Sequence, residues 1–318
     1  MKAAVLHAPY DLRLEERDVP QAGADGLVLR IHNCAVCGTD TQMYVGATHP
    51  HLPTIMGHEA AGEVVEVGSQ LNGYQVGERL TFWCHFGCFA EYTRIVPADL
   101  AVGRLPDNVT WEQGANTQLL CACLRGVDTA QLQSGQRALV MGQGPVGLLV
   151  MQGAKATGAQ VIGVDLYDLR VDMARRLGAD MAIKAREPDW PERIRQELGE
   201  VDVVFDCMNE DLSQGKTGLR DAFRVLREGG RCVMLSLGED PRGPAPQTIV
   251  HRLISMQPSY VPMERSRQLM QIACELVADG RVDVHTFVTH RMELDQVEEA
   301  LRLSRERPDE VVKIMLRI

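Results

Sequence analysis

The spacing of hydrophobic positions changes along the chain. Up to about residue 110, apolar residues occur in short runs that are rich in β-branched side chains and bounded by Gly and Pro. Such runs predict short strands, here at Val28–Ile31, Gly62–Gly68 and Arg94–Val96. Long helical periodicity is lacking, so this segment is predicted to be β-rich.

From about residue 120 onward, continuous apolar runs alternate with helical segments. Strands buried on both faces are predicted at Ala138–Met141, Gln160–Val164, Val201–Asp206 and Arg231–Leu235. Helices are predicted at Leu148–Thr157, Leu169–Leu177 and Leu219–Leu226, and a Gly- and Pro-rich loop at Gly238–Pro246. Because strands that alternate with helices imply right-handed crossovers and a parallel sheet, a doubly wound domain is predicted at 125–256.

The last sixty residues predict helices at Met263–Asp279 and Leu294–Arg305 and a closing strand at Val311–Leu316. This strand is expected to return to the β-rich first segment and become part of that domain. The predicted fold is therefore α/β, with one domain formed by 1–124 and 257–318 and a second domain inserted at 125–256.

Composition narrows the function classes. Hydrophobic residues make up 45% of the chain and charged residues 24%, as in a folded globular protein. The net charge of −10 argues against a nucleic-acid or anionic-membrane partner, since either would require a basic face. No apolar run reaches the roughly 18 residues of a membrane span, and the start does not resemble a signal peptide. We therefore expect a cytoplasmic protein whose nine cysteines are reduced.

A glycine-rich motif lies between a predicted buried strand and a predicted helix. It is the complete G-x-G-x-x-G sequence Gly142-Gln143-Gly144-Pro145-Val146-Gly147. The first glycine permits a tight turn, the second lets the backbone approach a pyrophosphate, and the third lets the helix pack against the strand. This context predicts a dinucleotide site.

The nicotinamide cofactor is predicted from Asp165, which lies 18 residues after the last glycine of the motif, at the end of the next strand. A carboxylate there accepts hydrogen bonds from the adenosine ribose and repels a 2′-phosphate, which favours NAD. Arg170, five residues on, is the argument for NADP. A residue that binds the 2′-phosphate normally replaces the acid, so NAD is preferred.

Two clusters in the β-rich segment carry metal-binding residue types. One contains Cys37, Thr39 and Asp40, and the other contains His58 and Glu59. Cys and His are zinc ligands, and a catalytic zinc takes three protein ligands and one exchangeable position.

With these clusters the chain resembles the zinc-containing medium-chain dehydrogenase/reductase family, which includes alcohol and polyol dehydrogenases. The resemblance covers nearly the whole length. It is carried by Asn33–Asp40, Gly57–Glu59, Val76–Arg79, Phe89–Tyr92, Gly142–Gly147, Leu177–Asp180, Gly280–Asp283 and Thr289–His290. It implies a GroES-like β-rich catalytic domain interrupted by a Rossmann domain, and a homodimer or homotetramer.

The resemblance also assigns roles to individual residues. Cys37 and His58 become zinc ligands, Thr39 relays the alcohol proton, and Asp40 holds the histidine tautomer. Glu59 becomes the acid that can approach the metal or replace water on it. Two basic residues are implied at the cofactor: Arg170 near the adenosine ribose and Lys313 near the pyrophosphate.

The third zinc ligand departs from the family pattern. The position usually occupied by Glu or Cys falls on Gln118, and an amide oxygen is a neutral, weaker ligand than a carboxylate. Cys121, about one helical turn further on, and Glu59 are the alternatives. All three stay open at the level of sequence.

Two further departures concern the proton route and a missing lobe. The position that often passes the proton to water as His is Gln42, which cannot titrate near neutral pH. The segment that usually carries four structural-zinc cysteines is reduced to the residues between Arg79 and Phe89. One catalytic zinc per chain is therefore expected. Trp83, in that segment, is predicted to line the substrate pocket.

The resemblance implies reversible, zinc-dependent hydride transfer between a small-molecule alcohol and NAD, with a polyol, sugar or hydroxy acid favoured. Two alternatives remain. One is a zinc-free quinone or enoyl reductase of the same superfamily, which needs neither Cys37 nor His58. The other is a non-catalytic NAD-binding protein on a decayed scaffold, which would explain Gln42 and Gln118.

Overall fold

The computed structural model describes residues 1–48, 50–83, 85–187, 189–208, 218–236 and 245–318. The chain forms two compact units. Unit one combines Met1–Cys121 with Pro262–Ile318, and unit two is Ala122–Val261.

The first part of unit one is mostly strand. Its strands are β1 (Lys2–Ala8), β2 (Asp11–Glu16), β3 (Leu27–Ala35), β4 (Thr54–Ile55), β5 (Glu59–Val67), β6 (Arg79–Trp83), β7 (Tyr92–Ile95) and β8 (Ala101–Arg104). Helix α1 (Gly38–Tyr44) follows β3, and helix α2 (Trp111–Ala130) follows β8. A turn of 3-10 helix lies at Pro97–Asp99.

Unit two alternates strand and helix. The strands are β9 (Arg137–Met141), β10 (Gln160–Asp165), β11 (Met181–Lys184), β12 (Val201–Asp206), β13 (Leu226–Met234) and β14 (Ser255–Pro258). The helices are α3 (Pro145–Ala156), α4 (Asp168–Arg176), α5 (Trp190–Glu197), α6 (Leu219–Ala222) and α7 (Pro246–His251). All strand pairs are parallel, in the order β11-β10-β9-β12-β13-β14. The strand order reverses at β9, where such sheets bind ligands beyond the strand ends.

The chain then returns to unit one through helix α8 (Met263–Ala278), strand β15 (Val288–Glu293), helix α9 (Val297–Glu306) and strand β16 (Lys313–Arg317). A seven-stranded sheet has the order β15-β16-β3-β5-β6-β8, with β7 also paired to β3, and a smaller sheet has the order β2-β1-β4. The closing strand β16 runs antiparallel to β3, with Met315 opposite Ala35. The C-terminal strand therefore lies beside the strand that leads to Cys37.

Each unit has its own apolar core. In unit one, large side chains from β3, β6 and the loop after β6 are fully buried, among them Leu29, Ile31, Leu80, Phe82 and Phe89. In unit two the core lies along the parallel sheet and includes Leu139, Ile162, Val204, Phe205 and Phe223. Burial of such side chains is the main stabilising contribution to both units.

The predicted elements of unit two differ from the structure mainly at their ends. Helix α3 begins at Pro145, three residues before the predicted start, because proline is favoured in the first turn of a helix. The helix predicted at Leu219–Leu226 ends at Ala222, because Leu226 already pairs with Val201 in the sheet. Residues 238–244 of the predicted loop lie outside the described residues.

In unit two, strands β11 and β14 and helices α5 and α7 were not predicted, and neither were helices α1 and α2. None of the helices in the described part of the chain has both the length and the apolar character that crossing a membrane requires.

Candidate metal centre and dinucleotide site

Sheet pairing brings the two predicted metal-binding clusters together. Strands β3 and β5 are antiparallel neighbours, with Ala35 opposite Glu59. Cys37 follows the end of β3, and His58 precedes the start of β5. The possible ligand atoms of Cys37, His58 and Glu59 all lie within 4.8 Å of one another. A soft thiolate, an imidazole and a carboxylate at this separation form a donor set suited to zinc.

Asp40 connects the cysteine to the histidine. Its carboxylate is fully buried and accepts hydrogen bonds from the backbone N–H groups of Cys37 (2.9 Å) and Gly57 (3.3 Å). Oδ1 of Asp40 lies 3.3 Å from Nδ1 of His58. This contact at one ring nitrogen orients the imidazole and leaves Nε2 to act as a metal ligand.

The electrostatics of the cluster favour a cation. Burial lowers the pKa of His58, but the charges of Asp40 and Cys37 outweigh it, so the pKa of His58 lies well above its ordinary value. Nearby negative charge that stabilises a protonated imidazole stabilises a metal ion at the same place.

The hydroxyl of Thr39 lies beside the cysteine sulfur. Thr39 is in the first turn of α1, and its Oγ1 is 3.8 Å from Sγ of Cys37. A group that exchanges a proton with a substrate must lie within hydrogen-bond distance of the substrate hydroxyl or reach it through a water, and Thr39 is placed close enough to the cluster for either.

Glu59 forms a buried ion pair with Lys313. The two side chains are almost completely buried, and the ammonium of Lys313 contacts Oε2 of Glu59. Burial lowers the pKa of Lys313, but the charges of Glu59 and Cys37 leave it above its ordinary value. The ammonium of Lys313 thus lies next to the metal cluster through Glu59, a contact that sequence reasoning missed. Its assignment to the pyrophosphate stays a prediction.

The candidates for the third ligand differ in their surroundings. Gln118 on α2 is buried, and its Oε1 has no hydrogen-bond partner among the residues that the structure describes. The thiol of Cys121 is also buried and donates to the carbonyl of Ser266 at 3.5 Å. A buried amide oxygen without a partner costs about 1–3 kcal/mol, a cost that a bound cation would remove. Gln118 therefore has an oxygen free to accept, and Oε1 of Glu59 likewise has no hydrogen-bond partner among the described residues.

An aromatic ring that sequence reasoning missed lies against the metal cluster. The ring of Phe86 has its centroid 4.8 Å from that of His58, and Phe86 is 46% exposed. Trp83, the predicted pocket residue, is half-buried at the end of β6, and its role stays a prediction. From the sequence, Phe86 could have been found by its position in the shortened segment between Arg79 and Phe89.

In unit two, the glycine motif forms the turn between β9 and α3. Gly142 has φ +86°, and a Cβ there would lie 2.8 Å from the carbonyl oxygen of Cys207. A Cβ on Gly147 would lie 1.7 Å from the carbonyl oxygen of Gly142. Side chains are therefore excluded at both positions. At Gly144 the nearest atom to an added Cβ is Nη1 of Arg170 at 3.8 Å, so this side of the turn is open.

Helix α3 begins immediately after the turn, with Pro145 and Val146 as its first residues. Its N-terminus therefore follows the open side of the turn, as a pyrophosphate site requires.

Asp165 is fixed at the end of β10 by the same turn. Its carboxylate accepts hydrogen bonds from the backbone N–H groups of Gln143 (2.6 Å) and Tyr167 (2.9 Å). The guanidinium of Arg170 lies 4.0 Å from the carboxylate and 5.1 Å from the ring of Tyr167. The structure thus brings Asp165, Arg170 and Gly144 together.

Two family models match the chain, and together they cover most of it. The zinc-binding dehydrogenase model matches residues 145–277, and the alcohol dehydrogenase GroES-like domain model matches residues 23–107.

Curated relatives span nearly the same length. The chain is 28% identical over 340 residues to sorbitol dehydrogenase from Bombyx mori, with 95% of each chain covered. It is 29% identical over 337 residues to (R,R)-butanediol dehydrogenase from Bacillus subtilis, with 93% of this chain and 94% of the relative covered. The crystal structure of 2R,3R-butanediol dehydrogenase from Bacillus subtilis superposes with a TM-score of 0.86 at 28% identity, with 100% and 99% covered.

These matches confirm the predicted α/β fold with its GroES-like and Rossmann parts, and the predicted enzyme class, a zinc-dependent alcohol or polyol oxidoreductase that uses a nicotinamide dinucleotide. The chain belongs to the zinc-containing medium-chain alcohol and polyol dehydrogenase family.

Proposed function

We propose that this enzyme oxidises a small polyol or a related alcohol with NAD, using one zinc ion per chain held by Cys37, His58 and a third ligand, either Gln118 or Glu59. The observation that carries the proposal is the cluster of Cys37, His58 and Glu59, whose possible ligand atoms lie within 4.8 Å of one another. The zinc-free reductase would not require a thiolate and an imidazole in this arrangement.

The surrounding residues support a zinc site. Asp40 contacts the non-ligating nitrogen of His58, as a group that orients a zinc-bound histidine does. Oε1 of Gln118 and Oε1 of Glu59 are both buried oxygens without a hydrogen-bond partner among the described residues, whereas the thiol of Cys121 donates to the carbonyl of Ser266. These contacts favour Gln118 and Glu59 over Cys121 as the third ligand.

Oxidation removes a hydride from the carbinol carbon and a proton from its hydroxyl. Zinc, when bound, supplies a Lewis acid that polarises the substrate oxygen and makes the hydroxyl more acidic. Thr39, beside Cys37, accepts the proton and passes it on. Since Gln42 cannot titrate, the proton leaves through water rather than through a histidine at that position.

The cofactor proposal is NAD. Asp165 is held by two backbone N–H groups at the position where the adenosine ribose binds in this fold. Its negative charge disfavours a 2′-phosphate. Arg170 contacts the ribose region, and the open face at Gly144 accepts the pyrophosphate next to Pro145 and Val146.

The substrate proposal is a polyol, sugar or hydroxy acid. The relatives named sorbitol dehydrogenase and (R,R)-butanediol dehydrogenase both act on carbon chains with more than one hydroxyl group, as their names state. A vicinal diol is therefore the first substrate class to test.

Residues 1–124 and 257–318 are proposed as the catalytic domain and residues 125–256 as the NAD domain. The enzyme is further proposed to act in the cytoplasm as a homodimer or homotetramer, without nucleic-acid or membrane partners. The net charge of −10 supports the last point.

The proposal is tested by metal removal and restoration. Purified enzyme is screened with NAD⁺ against diols, sugar alcohols and 2-hydroxy acids by NADH absorbance. Activity should disappear after chelation and return with Zn²⁺ but not with Mg²⁺, and His58→Ala should remain inactive after zinc is added. Activity that survives complete zinc removal, measured by elemental analysis, would contradict it.

A further inference from the structure

The loop formed by residues 85–88, between β6 and β7, is held firmly against the metal cluster. The ring nitrogen Nε2 of His85 lies 2.9 Å from the hydroxyl of Thr93, and the His85 ring packs edge-on against buried Phe82. Burial lowers the pKa of His85 to about 4, so it stays neutral in this contact. At the other end of the loop, the backbone N–H of Cys88 donates to the carbonyl of Gly57 at 3.0 Å.

Phe86, between these two anchors, has an environment unlike that of the other phenylalanines nearby. Phe82 and Phe89 are completely buried in the core of unit one, whereas Phe86 is 46% exposed. Its ring contacts the imidazole of His58 at a centroid distance of 4.8 Å and an interplanar angle of 49°. One part of the ring therefore covers a zinc ligand, and another part presents an apolar surface to solvent.

The neighbours of His58 restrict the orientation of its imidazole ring. Asp40 contacts Nδ1 of His58, and Cys37 lies within ligand distance on the metal side. The imidazole cannot turn away without breaking the contact to Asp40, and the loop is anchored at both ends. The exposed part of the Phe86 ring is thus a fixed apolar surface next to the metal position.

We infer that Phe86 is a specificity-determining residue, and that its ring contacts the carbon chain of the substrate beside the reacting carbinol. The inference rests on the proposed function, because it requires an alcohol oxygen at the cluster. The ring favours substrates that carry a methyl or methylene group next to the diol, and it limits chains that carry a hydrated hydroxyl group there. Phe86 thereby selects short vicinal diols with an apolar end over six-carbon polyols.

The expected size of the Phe86 effect follows from how well an apolar pocket discriminates between substrates. One methylene group is worth about 10-fold or more in kcat/KM. A hydroxyl group placed against the ring loses water without gaining a hydrogen-bond partner, which penalises the longer polyol.

The test uses the zinc-loaded full-length enzyme with Phe86→Ala and Phe86→Leu. Val76→Ala is the matched control, since Val76 is 64% exposed, lies in the same unit and has no part in the cluster. For each protein, kcat/KM is measured with vicinal diols of three to six carbons and with sorbitol. Binding of the same compounds is followed separately by the fluorescence of enzyme-bound NADH, and zinc content by elemental analysis.

For Phe86→Ala, we expect the ratio of kcat/KM for butane-2,3-diol to that for sorbitol to fall about 10-fold or more. The dissociation constants should move in the same direction, and zinc content should not change. Phe86→Leu should retain most of the ratio because leucine still offers an apolar surface. Val76→Ala should match the wild type.

An unchanged ratio in Phe86→Ala with full zinc content would overturn the inference. Loss of zinc would assign Phe86 to the support of His58 instead, and a change in oligomer mass with an unchanged ratio would assign it to a subunit interface. Both results contradict a specificity role. A wild-type enzyme that binds zinc and NADH but oxidises no alcohol would instead refute the proposed function, and the inference with it.

Discussion

The metal cluster and the dinucleotide turn are built in opposite ways. The turn comes from six consecutive residues; the backbone N–H of Gln143 donates to the carboxylate of Asp165, and there is no room for side chains at Gly142 and Gly147. The metal cluster collects Cys37, His58 and Glu59 from the ends of β3 and β5, and sheet pairing adds Lys313 from β16 as the partner of Glu59. A site made from local backbone tolerates many side chains around it, whereas a site made from distant side chains depends on each of them.

The largest loss of activity should follow the removal of a zinc-ligating side chain. Cys37→Ser should lower kcat/KM by about 10³-fold or more, because zinc loses its thiolate and the substrate oxygen is no longer polarised. NADH binding, measured by fluorescence, should stay within a factor of two. Cys274→Ser, at a buried cysteine on α8, is the control. Equal loss in both variants would mean that the cluster has no special role.

The buried ion pair between Glu59 and Lys313 should contribute to the free energy of unfolding. Lys313→Met leaves the carboxylate of Glu59 buried without its partner, so the free energy of unfolding should fall by about 3–5 kcal/mol. The double variant Lys313→Met with Glu59→Gln should recover most of that loss. Urea denaturation of chelator-treated protein measures both. A single variant as stable as the wild type would show that the ion pair contributes nothing to unit one.

The dinucleotide turn should respond to added volume rather than to lost charge. Gly147→Ala places a Cβ 1.7 Å from a carbonyl oxygen, so NADH affinity should fall about 100-fold as the turn distorts. Gly144→Ala has room for its methyl group in the free protein, where the nearest atom is 3.8 Å away. It should keep the wild-type melting temperature and lose about 10-fold in NADH affinity, through contact with the pyrophosphate.

Equal melting temperatures for the two glycine variants would contradict this account of the turn. Zinc content should be normal in both, because the turn lies in a different unit from the cluster.

The smallest expected effect concerns cofactor choice. Asp165→Ser removes the charge that repels a 2′-phosphate while Arg170 remains close by. The preference for NAD⁺ over NADP⁺ should then fall about 10-fold in kcat/KM. Asp172→Ser, at an exposed aspartate on α4, is the control. A ratio that does not change would mean that Asp165 only fixes the turn.

The same contrast explains how much could be predicted from the sequence. The glycine turn and Asp165 form a local pattern with a fixed spacing, so their arrangement follows from the order of residues. The resemblance supplied Cys37 and His58 as zinc ligands. The contact of Lys313 with Glu59 joins residues more than 250 positions apart and depends on the pairing of β16 with β3.

Phe86 could not be found in this way. It lies in the segment where the chain departs from the family pattern, and its contact with His58 depends on how the shortened loop folds back. Helix α6 shows the same limit on a smaller scale, because pairing of Leu226 with Val201 ended a helix that local preference would have continued.

The proposed catalytic zinc site can be tested by the zinc content of the purified wild-type protein and of Cys37→Ser. Elemental analysis should find one zinc per wild-type chain and none in Cys37→Ser, with the fold and NADH binding intact in both. Two zinc ions per chain would contradict the single catalytic site. No zinc in the wild type, with no uptake when zinc is added, would refute the metal-dependent mechanism.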